Sequence, residues 1–392
     1  VFTHAARESN LINSDWLGTK KELRDRLRAQ PEGELEWQKL QGRVYGRYMS
    51  EAELFPGVAN FLLRCKRLNV ELVIISHKTV FGHFDAEKVP LREKAWNWMK
   101  SKDFFNEDKY GISPNAVFFS STRQEKVEQI SKLQLDAFVD DLEEVFAEPE
   151  FPVGISKVLF GINSCETNHY DVCCSNWTEI SRELLGKPSL EDYRYWSQTI
   201  CGNEVTEINE LQGSGNSRVH RIQTENGTAY VLKTYPDRLL DSRNRIEAEF
   251  SACRYLENTD LAPKAIELDR DLNIAIYEWV EGRPVQQVEN SHIVEALSFT
   301  KYLWNVSQSP ESPCFPLASE ACISADQLFS QIETRFEKLK ECSKDIESLE
   351  DFLESVFKPT WLASRSWAEK LWPTDNQNKI LPQKNQTLSP SD

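Results

Sequence analysis

Between residues 54 and 165 short apolar runs alternate with amphipathic stretches, and this alternation limits the fold more than any other feature. Val58, Ala59, Phe61, Leu62 and Leu63 have helical spacing. Residues 70–75, Val-Glu-Leu-Val-Ile-Ile, form a short β-branched run and predict a buried strand. Residues 87–100 read as helix, 116–119 as strand, 123–133 as helix, and 137–139 and 158–160 as strands. Strands this short and apolar, separated by helices, predict a parallel sheet covered on both faces. Residues 1–50 read as charged helices with Trp16, Leu23, Leu27 and Leu35 as core contacts.

The pattern changes after Gly186-Lys187-Pro188-Ser189. Residues 204–234 read as antiparallel strands, with Glu225-Asn226-Gly227-Thr228 as a hairpin turn. Helices dominate 290–372, and the stretch 328–339 is strongly amphipathic. The expected division is therefore one domain at 1–186 and a second at 187–392.

A formal charge of −16 argues against a nucleic-acid surface, which needs clustered Lys and Arg. No apolar run approaches the ~20 residues that span a bilayer. The nine cysteines are irregularly spaced and contain no CxxC, so no zinc site is expected. Cys173-Cys174 reads as a pair of core or loop thiols in a reducing, cytoplasmic compartment. The chain starts at Val1 and closes on a loop-like stretch from Pro382 to Asp392, so both ends are expected to be cut.

In open parallel sheets chemistry gathers at the carboxyl ends of the strands. The strand at 70–75 ends in Ser76-His77-Lys78-Thr79, and the strand at 137–139 ends in Asp140-Asp141. Lys126 lies between them near the start of a helix. A hydroxyl, a lysine and an acidic pair suit phosphoryl chemistry. The hydroxyl hydrogen-bonds a phosphoryl oxygen, the lysine offsets negative charge, and the acids offer oxygen ligands to Mg²⁺. His77 reads as a structural hydrogen-bonding residue. Over residues 50–165 this set resembles the haloacid dehalogenase-like hydrolases. Ser76 matches the second motif of that family, Lys126 the third, and Asp140 with Asp141 the fourth. The resemblance implies a Rossmann-like fold and hydrolysis of a phosphate ester. The family's Asp nucleophile, in a DxD on the first strand, has no counterpart before Ser76, and Asp15 has no strand in front of it. Two expectations stay open: the first strand lies upstream of Val1, or the domain is inactive.

In the second half, Gly213-Ser214-Gly215-Asn216 forms a Gly-rich turn between predicted strands. Such a turn lets backbone N–H groups approach phosphates. The strand Ala229-Tyr230-Val231-Leu232-Lys233 then presents a lysine, and the helix 244–256 offers Glu249 or Glu247 as its acidic partner, Glu249 fitting the register better. Residues 274–282 read as a strand running into a hinge, with backbone groups at Glu278 and Val280 placed for adenine. Together with Pro263 and Glu281-Gly282, these residues resemble the aminoglycoside phosphotransferase and choline kinase superfamily over residues 200–392. The resemblance implies ATP, Mg²⁺ and transfer to a hydroxyl. It places Asp392 as the acceptor-orienting base, with Pro390 where the family has His, and with the Asn and second Asp of the metal site absent.

The resulting expectation is an α/β Rossmann-like parallel-sheet domain followed by an α+β protein-kinase-like domain with an incomplete helical lobe. The function expected is ATP-dependent phosphorylation of a small-molecule hydroxyl beside a phosphatase-like domain acting on a phosphate ester, without nucleic-acid or membrane partners. The alternative is a non-catalytic ligand-binding protein built from two degenerate phosphoryl-transfer folds. The oligomeric state is not legible.

Overall fold

The computed structural model describes residues 1–82, 84, 87–161, 169–211, 217–236, 243–259, 261–283, 285–309, 312, 315–318, 321–343, 346–371 and 379–380. Its backbone divides into two compact units. The first joins Val1–Phe250 with Pro263–Val280, and the second joins Ser251–Ala262 with Glu281–Asp392.

The first unit opens with three helices, α1 (Phe2–Glu8), α2 (Lys20–Arg28) and α3 (Gly33–Tyr45). They share a core of Leu23, Leu27, Trp37, Leu40 and Val44. Helix α2 starts at a capping box in which the Glu22 N–H donates to Thr19 and the Thr19 N–H donates to Glu22. Helix α4 (Val58–Arg67) follows, then β1 (Ile74–His77), α5 (Leu91–Ser101), β2 (Val117–Ser120), α6 (Arg123–Leu133), β3 (Ala137–Asp140), α7 (Glu143–Phe146), β4 (Ser156–Phe160) and β5 (Val172–Cys174). All five strands pair in parallel, as the helical crossovers require. They do not make one continuous sheet. Strand β1 pairs only with β2, and β3-β4-β5 form a separate sheet among the described residues. Side-chain packing joins the two pieces: Ile75, Phe138 and Leu159 meet Val127 and Ile130 of α6 in one buried cluster. Strand β1 begins at Ile74, later than the apolar run suggests, and Val70 is 41% exposed. Cys173 is disulfide-bonded, which corrects the expectation of two thiols there, whereas its neighbour Cys174 is a free buried thiol.

Helix α8 (Trp177–Leu185) leads through Gly186–Ser189 into α9 (Leu190–Cys201). Strands β6 (Val205–Leu211), β7 (Arg218–Thr224) and β8 (Ala229–Thr234) come next, then α10 (Arg245–Leu256), β9 (Ala265–Asp269) and β10 (Ile274–Glu278). These strands form a five-stranded antiparallel sheet in the order β6-β7-β8-β10-β9. The hairpin between β7 and β8 turns at Gly227, whose φ of 82° favours glycine.

The break near 186 is a loop in the chain, not a gap in the core. Helix α9 lays Tyr193 and Trp196 against Ile208, Ile222, Leu232 and Ile276 of the antiparallel sheet. The same cluster continues into Leu62 and Leu63 of α4. Polar contacts reinforce it. Arg64, 2% exposed, donates to the carbonyls of Ser181, Leu185, Gly186 and Lys187, which lie at the end of α8. Arg64 and Arg67 also reach Asp192 of α9, at 3.3 and 2.8 Å.

The second unit is helical. It holds α11 (Asn290–Ser307), α12 (Ala325–Cys342), α13 (Glu347–Phe352) and α14 (Lys358–Leu371), with a π-helical turn at Leu353–Phe357 before α14. Helix α12 runs antiparallel to the turn and α14. Phe336 stacks on Phe357, Phe329 meets Trp361 edge-on, and Lys340 bonds Glu354 at 2.7 Å. No described helix is long and apolar enough to cross a membrane.

Candidate functional site

Side chains alternate between the two faces of a strand. In β8, Leu232 faces α9 and is fully buried, opposite His220 and Ile276. Lys233, opposite Val219 and Ala275, therefore projects from the other face of the sheet. There Glu249 of α10 meets it, and the ammonium donates to both carboxylate oxygens at 2.8 and 2.7 Å. The pair is only 16% and 21% exposed, so each charge needs the other. An ammonium carries three N–H donors, and this geometry leaves one for a further anionic oxygen. Lys233 also lies 5.3 Å from the ring centre of Tyr235. The Tyr235 hydroxyl shares a hydrogen bond of 2.7 Å with that of Tyr277. Burial, then the neighbouring Tyr277 and Glu249, push the Tyr235 phenol up, so it stays protonated as a donor. Sequence reasoning missed both tyrosines; Tyr235, two positions after Lys233 on the same side, carried the signal by its spacing.

Glu247, the other candidate partner, is turned to Arg270, with an N–O distance of 3.3 Å for one of its two contacts. At the expected hinge, the Glu278 N–H donates to the Lys264 carbonyl at 2.9 Å. Val280 is 61% exposed, and its backbone has no partner among the described residues. Gly213, Ser214, Gly215, Asn216 and Asp392 lie outside the described residues.

The parallel-sheet edge holds a second ion pair. Lys126 of α6 and Asp140 at the end of β3 are both buried and bonded to each other. The remaining Asp140 oxygen accepts the Leu142 N–H at 3.0 Å. Burial pushes the Asp140 carboxyl up, against the opposing pull of Lys126 and the Leu142 N–H. Asp141 points outward and is exposed. With Asp140 engaged at both oxygens and Asp141 turned away, the two carboxylates do not fit a divalent cation, which needs several converging oxygens. Among the described residues no group of three or more His, Cys, Asp and Glu is placed to hold a metal. Ser76, half-buried at the end of β1, makes no side-chain hydrogen bond among the described residues. His77 bonds the Ser121 carbonyl at 3.0 Å, a structural contact.

No protein-family model matches the chain. No curated protein matches it. Among solved structures it is similar to the choline kinase from Cryptosporidium parvum Iowa II, at 18% identity and a TM-score of 0.30, over 47% of this chain and 59% of that one. It is also similar to the Plasmodium vivax ethanolamine kinase, at 14% identity and a TM-score of 0.25, over 50% of this chain and 58% of that one. In both cases the match spans less than two thirds of the other structure's length. Similarity at this level assigns neither an activity nor a substrate to this chain.

Proposed function

We propose that the chain carries an ATP-dependent phosphotransferase acting on a hydroxyl of a small molecule, beside a phosphatase-like parallel-sheet module. In this reading the two modules are residues 1–186 and 187–392. The observation that carries this reading is the Lys233–Glu249 pair between the antiparallel sheet and α10. A lysine clamped by one carboxylate, with one donor to spare, is a fixed positive charge at which triphosphate oxygens are positioned. In this reading Gly213, Ser214, Gly215 and Asn216 cradle phosphate, and the Glu278 carbonyl and Val280 N–H take the adenine. Asp392 orients the acceptor hydroxyl. Mg²⁺ shields phosphate charge in reactions of this class.

The test is binding of a fluorescent ATP analogue by the full chain. Lys233→Ala is expected to weaken binding about tenfold, the worth of one charge-assisted hydrogen bond. Lys338→Ala, at an exposed position on α12, is expected to change nothing. Equal affinity in the two variants counts against the assignment. Asp392→Asn is expected to leave binding intact and to slow transfer to the acceptor; an unchanged rate places the base elsewhere.

A second reading draws on the engagement of Asp140 by Lys126 and Leu142. A parallel-sheet module whose acid is already neutralised binds a ligand without hydrolysing it. Absence of phosphate release from a generic phosphate ester, together with measurable binding of that ester, would favour this reading for residues 1–186.

A further inference from the structure

The parallel-sheet edge has a charge imbalance that the Lys126–Asp140 pair does not account for. That pair is neutral, and Asp141 adds one negative charge, so these residues alone repel an anion. Two further cations lie at the ends of β1 and β2, where one carboxylate, Glu125, accepts the Ser121 N–H at 2.6 Å. Lys78 directly follows β1. Its backbone N–H donates to the Ser120 carbonyl at 2.9 Å, which fixes it beside the end of β2. Its ammonium sits 4.4 Å from the ring centre of Tyr45, the last residue of α3. Arg92, on the first turn of α5, bridges the same two strands. It donates to the Lys78 carbonyl at 2.9 Å and to the Ser121 hydroxyl at 2.8 Å.

Neither cation meets a carboxylate among the described residues. In a chain with a formal charge of −16, two half-buried cations without acidic partners at one strand edge form an exception. Burial alone, with no carboxylate to oppose it, lowers the Lys78 ammonium to about 8. Such a group gains more from an incoming anion than a solvated lysine does, because its charge is already stripped of water. Ser76, with a free hydroxyl two positions before Lys78, adds a neutral donor on the same strand end.

We propose that Lys78 and Arg92 form the anion-recognition site of this edge and take the phosphoryl group of a phosphate ester. The inference rests on the reading of the parallel-sheet module as phosphatase-like, and it moves recognition of the substrate's charge from Lys126 to residues that still have charge to give. Arg92 supplies a planar fork of donors and Lys78 a compact ammonium. Tyr45, at the end of α3, holds the ammonium through its ring face at 4.4 Å.

The probes are phenyl phosphate and inorganic phosphate, titrated calorimetrically into the full chain. Tighter binding of phenyl phosphate identifies an ester as the ligand source; equal binding identifies free phosphate. Lys78→Gln and Arg92→Gln are each expected to weaken binding about tenfold. Lys78→Arg is expected to retain most of it, and each variant's melting temperature reports whether it has folded. In parallel, brief acetylation with limiting acetic anhydride, read by mass spectrometry, is expected to modify Lys78, and bound phenyl phosphate to protect it. If the wild-type chain binds and the Gln variants bind equally well, the proposal is overturned while the phosphatase-like reading stands. If the wild-type chain binds neither probe at millimolar concentration, that reading fails and the proposal fails with it.

Discussion

The imidazole of His220 lies against the ring of Tyr193, with centroids 4.3 Å apart and planes inclined by 30°. His220 is fully buried on β7, and neither of its ring nitrogens has a hydrogen-bond partner among the described residues. Burial lowers its pKa below the ordinary value, with Glu210 opposing and Arg218 assisting. The folded protein therefore holds His220 neutral, whereas the unfolded chain takes up a proton near pH 6.5. Stability from this residue is present above that pH and is lost as pH falls below it, by at most ~1.4 kcal/mol per pH unit. His220→Phe keeps the stacking and removes the titration. Between pH 8 and 5 the wild-type urea midpoint is expected to fall by more than the variant's. Parallel curves would show that His220 is not the titrating group.

Asp192 works in the opposite sense. It is 1% exposed and is approached by Arg64, Arg67 and the Ser189 N–H. Burial raises its carboxyl, but the Ser189 N–H and the two guanidiniums outweigh this and hold it below the ordinary value. Its contribution is present above about pH 4 and is lost as pH falls through the depressed value. Asp192→Asn leaves the buried Arg64 without its counter-charge and is expected to cost about 3 kcal/mol at pH 7. Chemical denaturation is expected to show this gap closing toward pH 3. A gap that stays constant would mean the effect is steric.

The Lys126–Asp140 pair separates structure from chemistry. Lys126→Met alone strands a buried carboxylate and is expected to destabilise by about 3 kcal/mol. Adding Asp140→Leu is expected to restore stability to within about 1 kcal/mol, since apolar replacement of a buried pair is often neutral. A double variant as unstable as the single one would show that the pair contributes through more than mutual compensation.

Glu249→Gln tests the clamp on Lys233. The amide keeps one acceptor oxygen and loses the charge, so Lys233 is held less firmly. Nucleotide affinity is expected to fall about tenfold while melting temperature shifts by only a few degrees. Undiminished affinity would mean that Glu249 does not position Lys233 for nucleotide.

Much of this was legible where local spacing decides the outcome. Strand alternation put Lys233 and Leu232 on opposite faces, and helix register chose Glu249 over Glu247. Alternation also separates Asp140 from Asp141, yet the sequence reading treated them as one metal pair. Which of the two turns inward depends on α6 delivering Lys126 from elsewhere in the chain. Arg64 was invisible for the same reason. Its surface-like sequence context gives no hint of the carbonyls at the end of α8, more than a hundred positions away. Parallel pairing was foreseeable from the crossover helices, but the interruption between β1 and β3 was not, because strand neighbours are set by tertiary contacts.

The core that runs from Leu63 through Trp196 to Ile276 makes the back of the lysine-bearing sheet a surface that cannot meet water. A polypeptide starting after residue 186 would keep α9 over the sheet but lose Leu62 and Leu63 of α4 from the same core, and an apolar surface bared in this way promotes aggregation. The antiparallel sheet thus depends on α9 and α4 as a newly made chain depends on its scaffold. Any change that loosens the packing of Trp196 is also a change at the strand carrying Lys233, and the two halves of this unit are bound to melt together.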